Sequence, residues 1–288
     1  MGEDDRGRAV DRMLDGRGDG EGVTRPAWAP RAVDLDRPSA ARVYDYYLGG
    51  SHNFAVDREM AQRAVADWPE LPGIMRSNRA FLRRAVRWCG EQGIDQFLDV
   101  GSGIPTVGNV HEVARATDPA ARVVYVDVDP VAVAHSLALL DGDPLTGVVQ
   151  ADLCDVEGVL GDPVTTELLD LDRPVALLVV ALLHFVGDDR RPDEVLARYR
   201  DQLAPGSVLV LSHASADDAG EHADGHVALY RRTATPMSMR SHAQVLRFFD
   251  GFTLVEPGLV PLPLWRPDGP VDGAGAAVPG YAGVGRRD

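Results

Sequence analysis

The chain encodes an α/β architecture built on a doubly wound, mostly parallel sheet. Short apolar runs near residues 96–100, 122–127, 146–150, 175–181 and 207–212 alternate with helical patterns near 108–116, 130–140, 157–169 and 191–203. Strands that alternate with helices in this way require right-handed crossovers, which stack helices on both faces of a parallel sheet. The first run, Gln96-Phe97-Leu98, ends in Asp99-Val100-Gly101-Ser102-Gly103, a glycine pair at the point where a helix is due. The second run, Arg122-Val123-Val124-Tyr125-Val126, stops at Asp127. Glycines let a backbone approach a ligand without Cβ interference, and a carboxylate at the next strand end can accept both hydroxyls of a ribose.

Before the alternation begins, residues 1–36 are rich in Gly, Asp and Arg and poor in aliphatics, the composition of a tail without fixed structure. Residues 37–94 read as a helical amino-terminal segment, and residues 95–288 as the α/β domain. Within the helical segment, Val43, Tyr46, Tyr47 and Leu48 predict a short helix with Pro38 in its first turn, stopped by Gly49-Gly50. Further helices are predicted over 55–68 and 77–89. The second of these has Ser77 as its N-cap and Phe81, Leu82, Ala85, Val86 and Cys89 at helical spacing. Asp129-Pro130 starts a helix and Leu203-Ala204-Pro205-Gly206 stops one. Helices near 217–232 and 241–250 then precede two late strands, 253–260 and 281–285.

The glycine loop departs from the dinucleotide pattern G-x-G-x-x-G. Gly101 and Gly103 are followed by Ile104, Pro105 and Thr106, the next glycine waits until Gly108, and Pro105 removes an N–H that would otherwise face a phosphate. A loop with reduced phosphate-binding capacity fits a nucleoside cofactor without phosphate, such as S-adenosylmethionine. A third strand end agrees: Ala151-Asp152-Leu153 follows residues 146–150, where a carboxylate can accept from an adenine amino group while the next backbone N–H donates to a ring nitrogen. Cofactor positions by this reading are Asp99, Gly101, Ser102, Gly103, Asp127, Val128, Asp152 and Leu153.

Several further segments carry a resemblance. They are Ala41-Arg42-Val43-Tyr44-Asp45-Tyr46-Tyr47-Leu48-Gly49-Gly50, Asn53-Phe54-Ala55-Val56-Asp57-Arg58, Asn78-Arg79-Ala80-Phe81-Leu82-Arg83-Arg84, Gly108-Asn109-Val110-His111-Glu112-Val113, Leu183-His184-Phe185-Val186 and Leu211-Ser212-His213-Ala214. In these, from about Arg37 to Arg287, the chain resembles the actinobacterial S-adenosylmethionine-dependent methyltransferases long grouped as a domain of unknown function. The resemblance implies a Rossmann-like class I methyltransferase fold, with a mostly parallel seven-stranded sheet closed by an antiparallel hairpin, and S-adenosylmethionine as cofactor. Ser102 stands where that family often has Thr, and no cofactor position is lost.

Composition narrows the partners. The formal net charge of −15 opposes binding to nucleic acid or to an anionic membrane, so a small-molecule or protein methyl acceptor is expected. All 29 Lys and Arg are Arg, which excludes a P-loop kinase, a pyridoxal-phosphate Schiff base and a Tyr-x-x-x-Lys dehydrogenase. Cys89 and Cys154 are isolated, and the chain shows no leader or long apolar segment, so a cytoplasmic location is expected. Two rival functions are a nicotinamide-dependent oxidoreductase and a non-catalytic protein that keeps the cofactor pocket for regulation.

Methyl transfer is a displacement at a sulfonium carbon, so alignment and water exclusion dominate and a base matters only for an acceptor that keeps its proton until attack. His184 and His213 follow the fourth and fifth strands at the sheet edge where acceptors bind; each is either a base or a packed core residue. Tyr44, Tyr47, Asn53 and Asp57 around Gly49-Gly50 either form a lid, with Tyr44 at the reacting groups, or pack the helix. Asn78 and Arg79 open a helix, where Arg79 either holds a carboxylate of cofactor or acceptor or is solvated. His222 and His226, with Asp217, Asp218, Glu221 and Asp224, read as solvated surface and not as metal ligands.

Overall fold

A central parallel sheet organises the chain. In the computed structural model, which describes residues 33–105, 108–217, 222–231, 233, 235–273 and 278–288, its parallel strands are β1 (Gln96–Val100), β2 (Arg122–Asp127), β3 (Thr146–Gln150), β4 (Ala176–Val180) and β5 (Val208–His213). They lie in the order β3-β2-β1-β4-β5. The register pairs Leu98 with Val124 and with Leu177, so aliphatic rows run across the sheet and are buried on both faces. The chain order reverses between β1 and β4, and ligands of such sheets bind outside the carboxyl ends at that switch point.

The carboxyl-terminal part corrects the expected strand count. The predicted strand over 253–260 is two short ones, β6 (Thr253–Leu254) and β7 (Val260–Pro261), because Glu256-Pro257-Gly258 interrupts it. Both pair antiparallel with β8 (Tyr281–Arg286), which itself pairs antiparallel with β5, so the sheet has eight strands and not seven.

Two other corrections come from proline and aspartate. The helix expected from Ser77 starts six residues earlier, because Pro72 is tolerated in a first turn, and Ser77 lies inside it. The stretch 157–169 divides into two short helices, Val156–Leu160 and Pro163–Leu168, each begun by an aspartate (Asp155, Asp162) whose carboxylate accepts from a first-turn N–H.

Three helices precede the sheet: α1 (Ala40–Tyr47), α2 (Ala55–Asp67) and α3 (Leu71–Glu91). The inner face of α3, with Phe81, Ala85 and Cys89, packs on one side of the sheet against Phe97, Leu178 and Val210. Against the other side pack Leu196 and Tyr199 of the helix Pro192–Gln202, together with Phe248 and Phe249. A separate cluster holds α1 and α2 to the helix His222–Tyr230 through Val43, Tyr47, Ala61, Trp68 and Tyr230. Of the stretch read as a tail, residues 1–32 lie outside the described residues. Val33 is buried with Phe54, Ile104, Val131 and Ala132, which binds this strap to the sheet domain.

One buried carboxylate secures this amino-terminal cap. Asp57, fully buried, accepts from Ser39 N at 2.9 Å, Phe54 N at 2.8 Å and Arg42 Nε at 2.9 Å. Burial raises its pKa, and the Arg42 charge with the backbone donors opposes that rise. Removing one partner of a buried pair leaves the other charge without compensation, so Asp57→Ala should lower the unfolding free energy by about 3–5 kcal/mol in a denaturant titration of the full chain.

Candidate active site

The carboxyl ends of β1, β2, β3 and β4 open into one cavity of about 540 Å³, roofed by the strap at residues 33–42 and by α1. Its walls bring together Tyr44, Asn78, Arg79, Asp99, Gly101, Ser102, Gly103, Asp127, Val128 and Asp152, ten positions that the sequence singles out from stretches more than a hundred residues apart. Leu153, His184 and His213 are not among the lining residues.

The glycine loop hangs from β2. Gly101 N and Ser102 N both donate to Val126 O, at 2.8 and 3.1 Å, and Gly103 N donates to Asp127 Oδ2 at 2.7 Å. The two glycines have different reasons to be glycine. Both have positive φ, +73° and +69°, but a Cβ on Gly101 would lie 2.6 Å from the Leu182 side chain, whereas one on Gly103 meets no protein atom within 4 Å. Gly101 therefore serves close packing of two strand ends, and Gly103 keeps cavity space open.

Asp127 closes the turn at the end of β2: its other oxygen accepts from Asp129 N at 2.8 Å, and Asp129 in turn caps the helix Pro130–Leu139 through Val131 N at 2.8 Å. Burial raises the Asp127 pKa to about 6, against the pull of these backbone donors. Asp99 is raised by burial to about 7, with the nearby Arg79 charge opposing. Arg79 donates to Gly108 O at 3.1 Å, and its buried Nε has no hydrogen-bond partner.

At the third strand end, both Asp152 oxygens face the guanidinium of Arg190, at 3.0 Å each. Burial acts to raise the Asp152 pKa, and the Arg190 hydrogen bonds with that of Cys154 N outweigh it, so the carboxyl sits below its usual range. Arg190 carries no sequence signal of its own. It lies in a single turn, Asp188–Arg190, fixed in place by a buried Arg240 whose guanidinium reaches Leu183 O, Val186 O, Asp188 Oδ1 and His213 Nε2 within 2.6–2.9 Å.

On the β4 side, a relay ties the cap to the sheet edge. Ala181 N donates to Ser212 Oγ, Ser212 Oγ donates to Asn78 Oδ1 at 2.6 Å, Asn78 Nδ2 donates to Tyr44 Oη at 3.0 Å, and Tyr44 Oη donates to Met75 O. Ala181 itself is held at φ +56°, an unusual conformation for a residue with a Cβ. Of the four residues read as a lid, only Tyr44 lines the cavity. Tyr47 packs in the cap cluster, Asn53 donates to Asp45, and Asp57 holds Arg42.

The two strand-end histidines belong to the core. His213 Nδ1 donates to Ala214 O at 2.7 Å and its Nε2 accepts from Arg240, while burial lowers its pKa to about 3. His184 accepts from Ala214 N at 3.4 Å, and burial with the adjacent His213 and His226 drives its pKa well below the usual range. His226, read as solvated surface, is instead buried against Trp68, and His222 stacks on the same ring; Asp218 and Glu221 lie outside the described residues.

A family model described as S-adenosyl methyltransferase matches residues 26–288. The chain belongs to this family. A solved protein of the DUF574 family from Streptomyces avermitilis is 39% identical, with a TM-score of 0.85 over 88% of this chain and 99% of its own. Another, from Thermobifida fusca, is 42% identical, with a TM-score of 0.86 over 91% and 100%. Among curated proteins none matches the chain. The protein is thus an S-adenosylmethionine-dependent methyltransferase, which sets aside the nicotinamide reading, and among the described residues no helix is long and apolar enough to cross a membrane.

Because both histidines are buried and neutral, neither should titrate near neutrality. In a pH series of imidazole NMR spectra, the His184 and His213 ring signals should stay fixed between about pH 5 and 8, the range in which an ordinary histidine moves through its pKa.

Proposed function

We propose that the chain transfers a methyl group from S-adenosylmethionine to a small-molecule or protein acceptor entering against the β4 end of the cavity. When bound, the cofactor supplies a methyl carbon on a positively charged sulfur. The chain's residues hold it part by part. Asp127 accepts from the ribose hydroxyls, and Asp152, steadied by Arg190, accepts from the adenine amino group beside Val128 and the Leu153 backbone. Arg79 would donate its free Nε to the cofactor carboxylate, Asp99 would take the ammonium group, and the Gly101-Ser102-Gly103 loop would leave room for the sugar.

The unpartnered Nε of Arg79 carries this reading most directly. A buried cationic donor without an acceptor costs free energy, and a carboxylate placed in the adjoining cavity would remove that cost. The Leu153 side chain points into the core and its carbonyl accepts from Tyr199 Oη at 3.1 Å, so its N–H is the group left to contribute. Neither buried histidine takes part in proton transfer.

Gly103→Val tests the loop. Its new side chain would enter cavity space and not protein, so calorimetry should find S-adenosylhomocysteine binding abolished while circular dichroism keeps the wild-type helix signal. A variant that loses the helix signal as well would make Gly103 a purely structural residue.

The ribose assignment has a pH signature. Hydroxyl donors prefer the ionised carboxylate, so binding holds Asp127 deprotonated and its pKa falls below the ligand-free value of about 6. Affinity for S-adenosylhomocysteine should therefore decline as pH drops through about 6, below a first decline near 7 where Asp99, facing the ammonium group, takes up its proton. Asp127→Ala should cost about 1.5–3 kcal/mol at neutral pH, the worth of a hydrogen bond to a charged group, and remove the lower decline while the one near 7 stays. Unchanged affinity in the folded variant would remove Asp127 from the ribose site.

A further inference from the structure

The half of the cavity beyond the cofactor positions has a different chemistry. Where the β1, β2 and β3 ends present Asp99, Asp127 and Asp152, the β4 side presents Val180, Leu182 and Phe185, faced across the space by Leu48 and Tyr44 of the cap. A second orphaned polar atom sits on this wall: the buried hydroxyl of Thr235 has no hydrogen-bond partner. Thr235 is fixed in place by its own backbone, since its N–H donates to Thr233 Oγ1 at 3.1 Å and its carbonyl accepts from the same hydroxyl at 2.8 Å. Its side chain is therefore presented by the backbone and not drawn into a local turn.

We propose that this wall is the acceptor subsite, and that it takes a small, uncharged, ring-sized molecule that offers one neutral polar group to Thr235 and attacks through a nitrogen whose lone pair is already free. The proposal rests on the methyltransferase reading above and narrows its acceptor. Apolar walls reward burial of an uncharged ring and penalise an uncompensated ion. The strap and α1 roof the space, which favours a molecule that fits inside it over a side chain attached to a protein surface. Among the described residues, the cavity lining holds no imidazole and no amine, and beyond Asp99, Asp127 and Asp152 its carboxylates are Asp34 and Asp129, each engaged by backbone N–H groups. The two histidines nearest in sequence are turned into the core. The Tyr44 hydroxyl is engaged by Asn78 and Met75, and burial raises its pKa.

A tertiary ring nitrogen meets these conditions. Its lone pair forms the new N–CH3 bond as the S–CH3 bond breaks, the bonding pair returns to sulfur to leave a neutral thioether, and the positive charge passes to nitrogen. No proton leaves, so no base is required. The rings of Tyr44 and Phe185, which both line this cavity, suit the ring and the cation that develops on it.

Three compounds with one ring system and different charge test this: isoquinoline-5-carboxamide, isoquinoline-5-carboxylate and 5-(aminomethyl)isoquinoline. Each is titrated calorimetrically at neutral pH into the full chain saturated with S-adenosylhomocysteine. The carboxamide should bind about tenfold or more tightly than either ion, given the cost of burying an unpaired charge. Thr235→Val should weaken the carboxamide by about three- to tenfold, the loss of one neutral hydrogen bond, while affinities for unsubstituted isoquinoline and for S-adenosylhomocysteine stay at the wild-type value. With S-adenosylmethionine in place of the spent cofactor, mass spectrometry should find the N-methylated carboxamide. An ion that binds as well as the carboxamide, or no ring compound binding the loaded chain, would overturn the acceptor proposal alone. Failure of S-adenosylhomocysteine to bind would overturn the cofactor reading with it.

Discussion

The Asp127 carboxylate is the joint on which the site depends. It is buried, no cation touches it, and its two oxygens are taken by the backbone N–H groups of Gly103 and Asp129. One side chain thereby sets the glycine loop at the end of β1 relative to the start of the next helix. The line continues outward: Asp129 caps that helix and accepts from the Ser39 hydroxyl, Ser39 N donates to Asp57, and Asp57 holds Arg42. The roof of the cavity is thus bonded to its floor. Burial raises the pKa of this carboxylate and the backbone donors pull it back, while each oxygen keeps a lone pair for a further hydroxyl donor.

The sequence shows this site wherever its determinants are local. Glycines that adopt positive φ, aspartates at strand ends and the strand-helix rhythm are each set by a few neighbouring residues, and Asp99, Gly101, Ser102, Gly103, Asp127, Val128 and Asp152, chosen on those grounds, meet in one cavity. Arg190 and Arg240 carry no such pattern. Arg190 matters because it faces Asp152 across 38 residues of chain, and Arg240 because it gathers the carbonyls of Leu183 and Val186 more than fifty residues away. A tertiary contact of that separation leaves no local trace for either arginine.

The histidines show a second limit. Position at a strand end tells which edge of the sheet a residue reaches, but successive side chains leave opposite faces, so a shift of one residue decides between the cavity network and the opposite core. In β5, Ser212 turns toward α3 and bonds Asn78, while His213 turns the other way onto Phe248 and Arg240. The serine, not the histidine, joins the cap to the site. The strand count fails for a related reason: an apolar run across 253–260 reads as one strand, and only the interruption at Pro257 and the pairing of both pieces with β8 make it two.

Electrostatics distinguish this pocket from the dinucleotide sites that share its topology. A pyrophosphate needs converging N–H groups and is repelled by a carboxylate placed against it, whereas here Pro105 withholds a donor and Asp99 lies on the cavity wall. Asp99 and Arg79 instead form an acid-base pair of walls: the guanidinium pulls against the burial that raises the Asp99 pKa, and keeps one Nε free. Such a pair is complementary to a zwitterion. An amino-acid group can give its carboxylate to Arg79 and its ammonium to Asp99, leaving each buried charge with an opposite partner, which a phosphate bridge would do for the arginine only. Pro105 in the loop, the acid and the arginine beside it are together suited to a nucleoside that ends in an amino acid, as the cofactor of this family does.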